Sequence, residues 1–190
     1  MSRVPVLCTF ACLSLGFLSV SSQGREAEDD ETISRLNTGV LKFAQDHVGK
    51  KLGNGECTVL AIRALTSVGA KTTHDYGVSG LDKDYEWGTR VKHFTDAKPG
   101  DIVQFRDVVT ITKTVIKTGR GSITHTSMRD YDHHTAIISR NLGKGKFKIY
   151  EQNAGGPDAT EAEKKKVRED DLDLAGKKQG SVWIYRPVKK

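Results

Sequence analysis

The sequence predicts an α+β fold in which N-terminal helices pack on a mostly antiparallel sheet. Three observations carry that reading. Ile33, Leu36, Val40, Ala44 and Val48 recur at helical spacing, and so do Cys57, Leu60, Ala61, Ala64, Leu65 and Val68, each set making one apolar face. From residue 102 onward the apolar runs are short, rich in Val, Ile and Thr, and separated by Gly, Pro and Asn turn signals. No internal repeat is visible, and helices followed by a run of strands is the α+β order.

The elements follow in turn. Residues 1–23 read as a secretion signal: Arg3 gives a basic start, residues 4–20 are apolar and uncharged, and Ser19-Val20-Ser21-Ser22-Gln23 offers small residues for cleavage. Residues 24–31 are acidic and polar, and a flexible leader is expected there. Residues 32–190 are expected to form a single domain. Its first helix should span residues 32–48, with Gly49 as its stop. Gly53-Asn54-Gly55 then turns the chain into a second helix, which opens at Cys57 and ends at Gly69. Residues 71–97 read as a long loop. Trp87 either lines a cleft from that loop or pins it to the core. Lys98-Pro99-Gly100-Asp101 is a turn that launches a strand at residues 102–105. Residues 108–117 and 122–128 flank Gly119-Arg120-Gly121 as a long Thr-rich hairpin. Strands are expected at 135–139, 147–153 and 181–188, with Gly155-Gly156-Pro157 ending the second. The charged run 164–173 is expected to be a solvated surface segment.

Composition narrows the partners. The chain has 30 Lys and Arg against 24 Asp and Glu, a formal net charge of +6, reduced by one when Arg3 leaves with the signal. So mild an excess favours anionic surfaces, cell wall included, without naming one. Nucleic-acid motifs are absent and the aromatics do not interleave with basic residues, so no nucleic acid is expected. No second apolar run could span a bilayer, so no membrane span is expected after cleavage. A secreted protein, extracellular or periplasmic, and a monomer, is expected. Two of the three cysteines, Cys8 and Cys12, lie in the signal. A solitary cysteine in a secreted chain is an intermolecular partner or a free useful thiol. The plainer alternative is an inert core cysteine.

The setting of Cys57 favours the useful thiol. In the first turn of a helix, unpaired N–H groups and the positive end of the dipole favour a thiolate. A thiolate that attacks a carbonyl needs a proton partner, and that partner needs an orienter. His134, Ala136 and Ile138 share one face of their strand; Phe147, Ile149, Glu151 and Asn153 share one face of the next. A hairpin joining these strands lays His134 beside Glu151 and Asn153. His133 then faces away. His125, Asp130, Asp132, His133 and His134 are close in sequence but lack a zinc spacing, so no metal and no cofactor is expected.

Gly-x-Gly-Glu-Cys-Thr at a helix start, Lys-Pro-Gly-Asp-Ile-Val-Gln-Phe, His-Thr-Ala-Ile-Ile and Tyr-Glu-Gln-Asn occur in that order. Together they resemble the CHAP domain, the cysteine/histidine-dependent amidohydrolases and peptidases related to NlpC-type cell-wall peptidases. The resemblance covers residues 42–185 and implies a papain-like core. It implies Cys57 as nucleophile, His134 as base, and Glu151 with Asn153 as orienting residues. It also implies hydrolysis of amide bonds, foremost in peptidoglycan peptides. His133 stands where that family often has glycine, and the hairpin at residues 108–128 is an insertion that could cap the cleft. The chain has no room for a separate wall-binding domain. The alternative is a catalytically inactive binding module on the same scaffold. A redox sensor would lack a resolving cysteine.

Overall fold

The computed structural model describes residues 22–80, 83–119, 121–155 and 159–190. The expected secretion signal lies outside the described residues except for its last two positions.

Helix α1 spans Ser22–Asp46 and α2 spans Cys57–Ser67. α1 begins ten residues before the expected start at Thr32, so the segment read as a flexible leader is helical backbone. Leu36, Val40 and Ala44 are buried, as their spacing predicts. Val48 departs from the stripe. The helix ends at Asp46, and Val48 is instead half exposed and bridged to Val167. In α2 the residues Cys57, Leu60, Ala61, Ala64 and Leu65 are all buried, and burying each large aliphatic side chain contributes roughly 1.5–3 kcal/mol.

Among the described residues six strands follow: β1 (Thr89–Val91), β2 (Ile102–Thr118), β3 (Gly121–Gly143), β4 (Lys146–Glu151), β5 (Arg168–Asp173) and β6 (Lys177–Arg186), with a one-turn helix α3 (Glu161–Lys164) before β5. They form one sheet in the order β1-β6-β2-β3-β4-β5, antiparallel at every pairing. The expected strand and hairpin merge: β2 and β3 pair continuously from Ile102↔Ile137 to Thr118↔Gly121. The loop at 71–97 holds two 3-10 turns and the short edge strand β1. The charged run at 164–173 is not a solvated segment. It contains α3 and β5, and β5 pairs with β4 and buries Leu172.

The alternation of side chains divides the core in two. Ile102, Ile137, Tyr150 and Tyr185 face α1 and α2. Val103, Phe105, Ile138, Ile149, Leu172 and Ile184 form a second cluster on the opposite face. That face is closed by curling of the sheet itself. The β5–β6 turn returns to β2, where Ile111 N–H donates to Gly176 O at 3.0 Å. Between Phe105 and Val108, and between Tyr131 and His134, two residues intervene where strict alternation allows one, yet all four are buried. The β2–β3 ladder therefore bends at Asp107, whose φ is 51°, while the pairing register is kept on both sides. No helix among the described residues is long and apolar enough to cross a membrane.

Candidate active site

The site forms where β4 stops and β3 continues. Ala136 lies opposite Glu151 in the ladder, so His134, two residues back on the same face, is diagonal to that carboxylate. His134 Nε2 and Glu151 Oε2 are 3.1 Å apart, and both residues are buried. With Nε2 directed at Glu151, the other ring nitrogen is the one available to Cys57, and each of the two residues shifts the other's pKa.

Cys57 arrives from the opposite layer. Positive φ at Gly53 and Gly55, 55° and 89°, bends the chain before it. Asn54 Oδ1 accepts the Glu56 N–H at 3.1 Å as an Asx-type turn. Glu56 is the N-cap residue, but its side chain makes no capping bond, so the first-turn N–H groups are left for the sulfur. Burial pushes the Cys57 thiol up. The hydrogen bond and charge of His134, with the backbone N–H groups of Thr135 and Thr58, outweigh it and bring the thiol below the ordinary 9.0. Burial likewise pulls His134 down, but its bonds to Cys57 and Glu151 raise it from 6.5 to about 10. Both shifts run in the direction of a thiolate–imidazolium pair.

Several partners in the site escaped sequence reasoning. Arg129 Nη1 reaches Glu151 Oε1 at 3.2 Å and the Tyr131 hydroxyl at 3.2 Å, and its other terminal nitrogen pairs with Asp170. Arg168 Nε stands 3.6 Å from the same Glu151 oxygen. The Tyr131 ring stacks on His134 at 5.0 Å and on Phe105 at 4.7 Å, roofing the imidazole. Burial and the Glu151 charge raise the Tyr131 hydroxyl well above its usual value, so it stays protonated. Gln152 is fully buried. Its Oε1 accepts Leu52 N–H at 2.9 Å, and its Nε2 donates to Leu52 O at 3.2 Å and Glu56 O at 2.9 Å. Glu151 and Gln152 thus serve opposite faces of β4: one holds the imidazole, the other the loop that launches Cys57.

Asn153 does not reach His134. β4 ends at Glu151, and Asn153 takes φ 61°, so strand alternation no longer applies. Its Nδ2 donates to Glu56 Oε2 at 2.8 Å, which anchors the turn to the N-cap of α2. Trp87 does not line the cleft. It is fully buried, with Nε1 donating to Gln104 Oε1 at 3.1 Å: the loop-pinning use of the indole. His133 faces away from Cys57, with Nε2 2.9 Å from Lys83 O and its ring edge-on to Tyr85. A cleft of about 560 Å³ opens beside His134, between β3 residues 127–134 on one side and Asn153, Ala154, Gly155 and Lys164 on the other. Among the described residues no group of three or more His, Cys, Asp or Glu is placed to hold a metal.

A cysteine at a helix tip, facing a strand histidine held by a buried carboxylate across a curled antiparallel sheet, defines the papain-like cysteine-proteinase fold class. The chain belongs to the AIM3/BBC1 cysteine proteinase-fold domain family, which matches residues 25–190. No curated protein and no solved structure matches it.

Proposed function

We propose that the chain is a cysteine amidohydrolase, in which Cys57 attacks an amide carbonyl as thiolate. The observation that carries this reading is the Cys57–His134–Glu151 relay. A buried inert cysteine needs no imidazole, and a buried carboxylate aimed at that imidazole would have no purpose. His134, protonated at rest, gives its proton to the leaving amine. The neutral ring then takes a proton from the water that hydrolyses the thioester. Glu151 orients the ring and stabilises its charge. The Cys57 backbone N–H, in a first turn without intrahelical partners, donates to the oxyanion; one such donor contributes about 3–4 kcal/mol in studied cases.

The resemblance to the CHAP domain supports an amide of peptidoglycan stem peptides as substrate, and polypeptide amides suit the same chemistry. The apolar N-terminal run supports secretion before action. A catalytically silent binding module on this scaffold is the competing reading.

Iodoacetamide labelling tests the pair directly. Cys57 should react at mildly acidic pH much faster than a free model thiol, and Cys57→Ala should abolish release of new amine termini from denatured polypeptide or purified peptidoglycan. Labelling no faster than a model thiol, with neither substrate cut, would leave the binding module.

A further inference from the structure

β3 pairs with β4 from Ala136 to Gly143 and with β2 from Gly121 to Ile137, so among the described residues 122–133 have β2 alone. β6 pairs with β2 only as far as Thr110. Beyond Ile111↔Met128 the two strands therefore project as a two-stranded arm whose edges have no further strand beside them among the described residues. The edges are not alike. Residues 111–118 of β2 carry Lys113 and Lys117, the kind of charge that blunts an edge against pairing. Residues 121–128 of β3 contain no Lys, Arg, Asp, Glu or Pro. Ile123 and Met128 on that stretch are 54% and 69% exposed. This unblunted edge leads straight into the cleft, which β3 residues 127–134 line. Thr135, just beyond the end of β4, is among the groups that lower the Cys57 thiol.

We propose that the outer edge of β3 is a docking edge for an extended, acidic polypeptide segment of the substrate. The segment adds as a strand along residues 122–133 and so enters the cleft beside His134. The inference rests on the hydrolase reading for what happens at the sulfur, but not for the docking. Backbone pairing with an exposed sheet edge is an established way of capturing extended peptides. At ~3.3 Å per residue the edge is about 40 Å long, a span suited to a polypeptide and far beyond a short stem peptide. The arm's charge selects acid: its inner strand carries Lys113 and Lys117, and residues 108–129 hold no Asp or Glu. Arg129 is occupied by Glu151 and Asp170, and Asp130 and Asp132 lie at the cleft end, so the acidic stretch is the part crossing the outer arm. A second copy paired arm to arm would oppose like charges. A bilayer would leave both open backbone rows unsatisfied in hydrocarbon.

The test uses the full chain carrying Cys57→Ala, so binding is read without turnover. The probes are a fluorescent peptide of about 12 residues alternating Glu and Val, its Lys–Val counterpart, and phosphatidylserine vesicles. The Glu–Val peptide should bind, with the Lys–Val peptide weaker by roughly ten-fold or more. Ile123→Glu should weaken the Glu–Val peptide by about ten-fold and Lys117→Glu by about three-fold. Replacing residues 111–128 by Asn-Gly, which joins the register partners Thr110 and Arg129, should abolish it; the two point variants decide the matter if that deletion fails to fold. Equal binding of both peptides, indifference to Ile123→Glu, or binding to vesicles in place of peptide would overturn the proposal. The two readings fail separately. Edge-dependent binding with no cleavage by the unmodified chain sinks the hydrolase and keeps the docking edge. Cleavage of acidic polypeptide that is unchanged by the arm substitutions does the reverse.

Discussion

Glu151 sets the character of the site because the imidazole and two guanidinium groups converge on it. Fully buried, it meets His134, Arg129 and Arg168, and an unpaired charge in that place would be costly. Glu151→Gln keeps the shape but removes the carboxylate that holds the imidazolium. His134 should then titrate well below its present value of about 10, and the alkaline limb of the pH–rate profile should move down with it. By analogy with removal of the orienting carboxylate in other triads, turnover should fall by about 10³–10⁴. Histidine NMR and the rate profile check both. Asn153→Ala makes a contrasting case. It removes only the bond to Glu56, so the acidic limb of Cys57 labelling should stay where it is, with stability lowered by about 1 kcal/mol. A shifted limb would restore Asn153 to the imidazole. The difference between these neighbours was only half legible in the sequence. Alternation along a strand finds Glu151 because β4 reaches it. It misplaces Asn153 because nothing in Tyr-Glu-Gln-Asn marks where the strand stops. Arg129 and Tyr131 were hidden by the bend at Asp107, which turns both Tyr131 and His134 inward.

At the scale of elements, the two layers meet through a few polar ties, and these decide whether Cys57 reaches the sheet. Gln152 fastens β4 to the loop at Leu52 and Glu56 with three hydrogen bonds. Gln152→Ala would strand buried donors and acceptors, at a cost of about 2–3 kcal/mol, and should slow Cys57 labelling while Glu151 is untouched. Urea unfolding and the labelling rate measure the two effects. The Lys-Pro-Gly-Asp turn ties the other end. Buried Asp101 accepts from Asn37 of α1 at 2.8 Å and from Arg186 of β6 at 3.0 Å. Gly100, at φ 86°, lies so close to α1 that a Cβ would stand 2.1 Å from Asn37 O. Gly100→Ala should therefore cost about 2–4 kcal/mol, seen as a lower urea midpoint. That the turn exists was readable from Pro-Gly; that it is the clamp between helix and sheet was not, because the contact spans distant sequence. Helix α2 was fully legible, since its spacing, glycine start and glycine stop agree. β5 was misread because Glu and Asp dominate it. Its charges are matched by Lys148 of β4, Arg129 of β3 and its own Arg168, and patterning along one strand cannot show the first two.

For the whole molecule, the ion pair makes folding stability respond to pH in a way that needs both partners. His134 is raised from 6.5 to about 10. Its contribution is complete below 6.5 and is lost as pH rises through about 10. Cys57 is lowered from 9.0. Its contribution is complete above 9.0 and is lost as pH falls through its lowered value. From 6.5, or from that lowered value if it is the higher, up to 9.0 the two slopes are opposite. The folded protein moves a proton from sulfur to nitrogen while holding the same number as the unfolded chain. Stability should therefore be flat across this window and fall above 9.0, where the His134 slope stands alone. Cys57→Ala removes the opposing slope. Glu151 still raises the imidazole, so the variant's stability should already decline across the window in which the unmodified chain is level. Melting temperature against pH for the two proteins reads this out without any substrate. Parallel curves would mean that Cys57 is a thiol at rest and that the proton never left it.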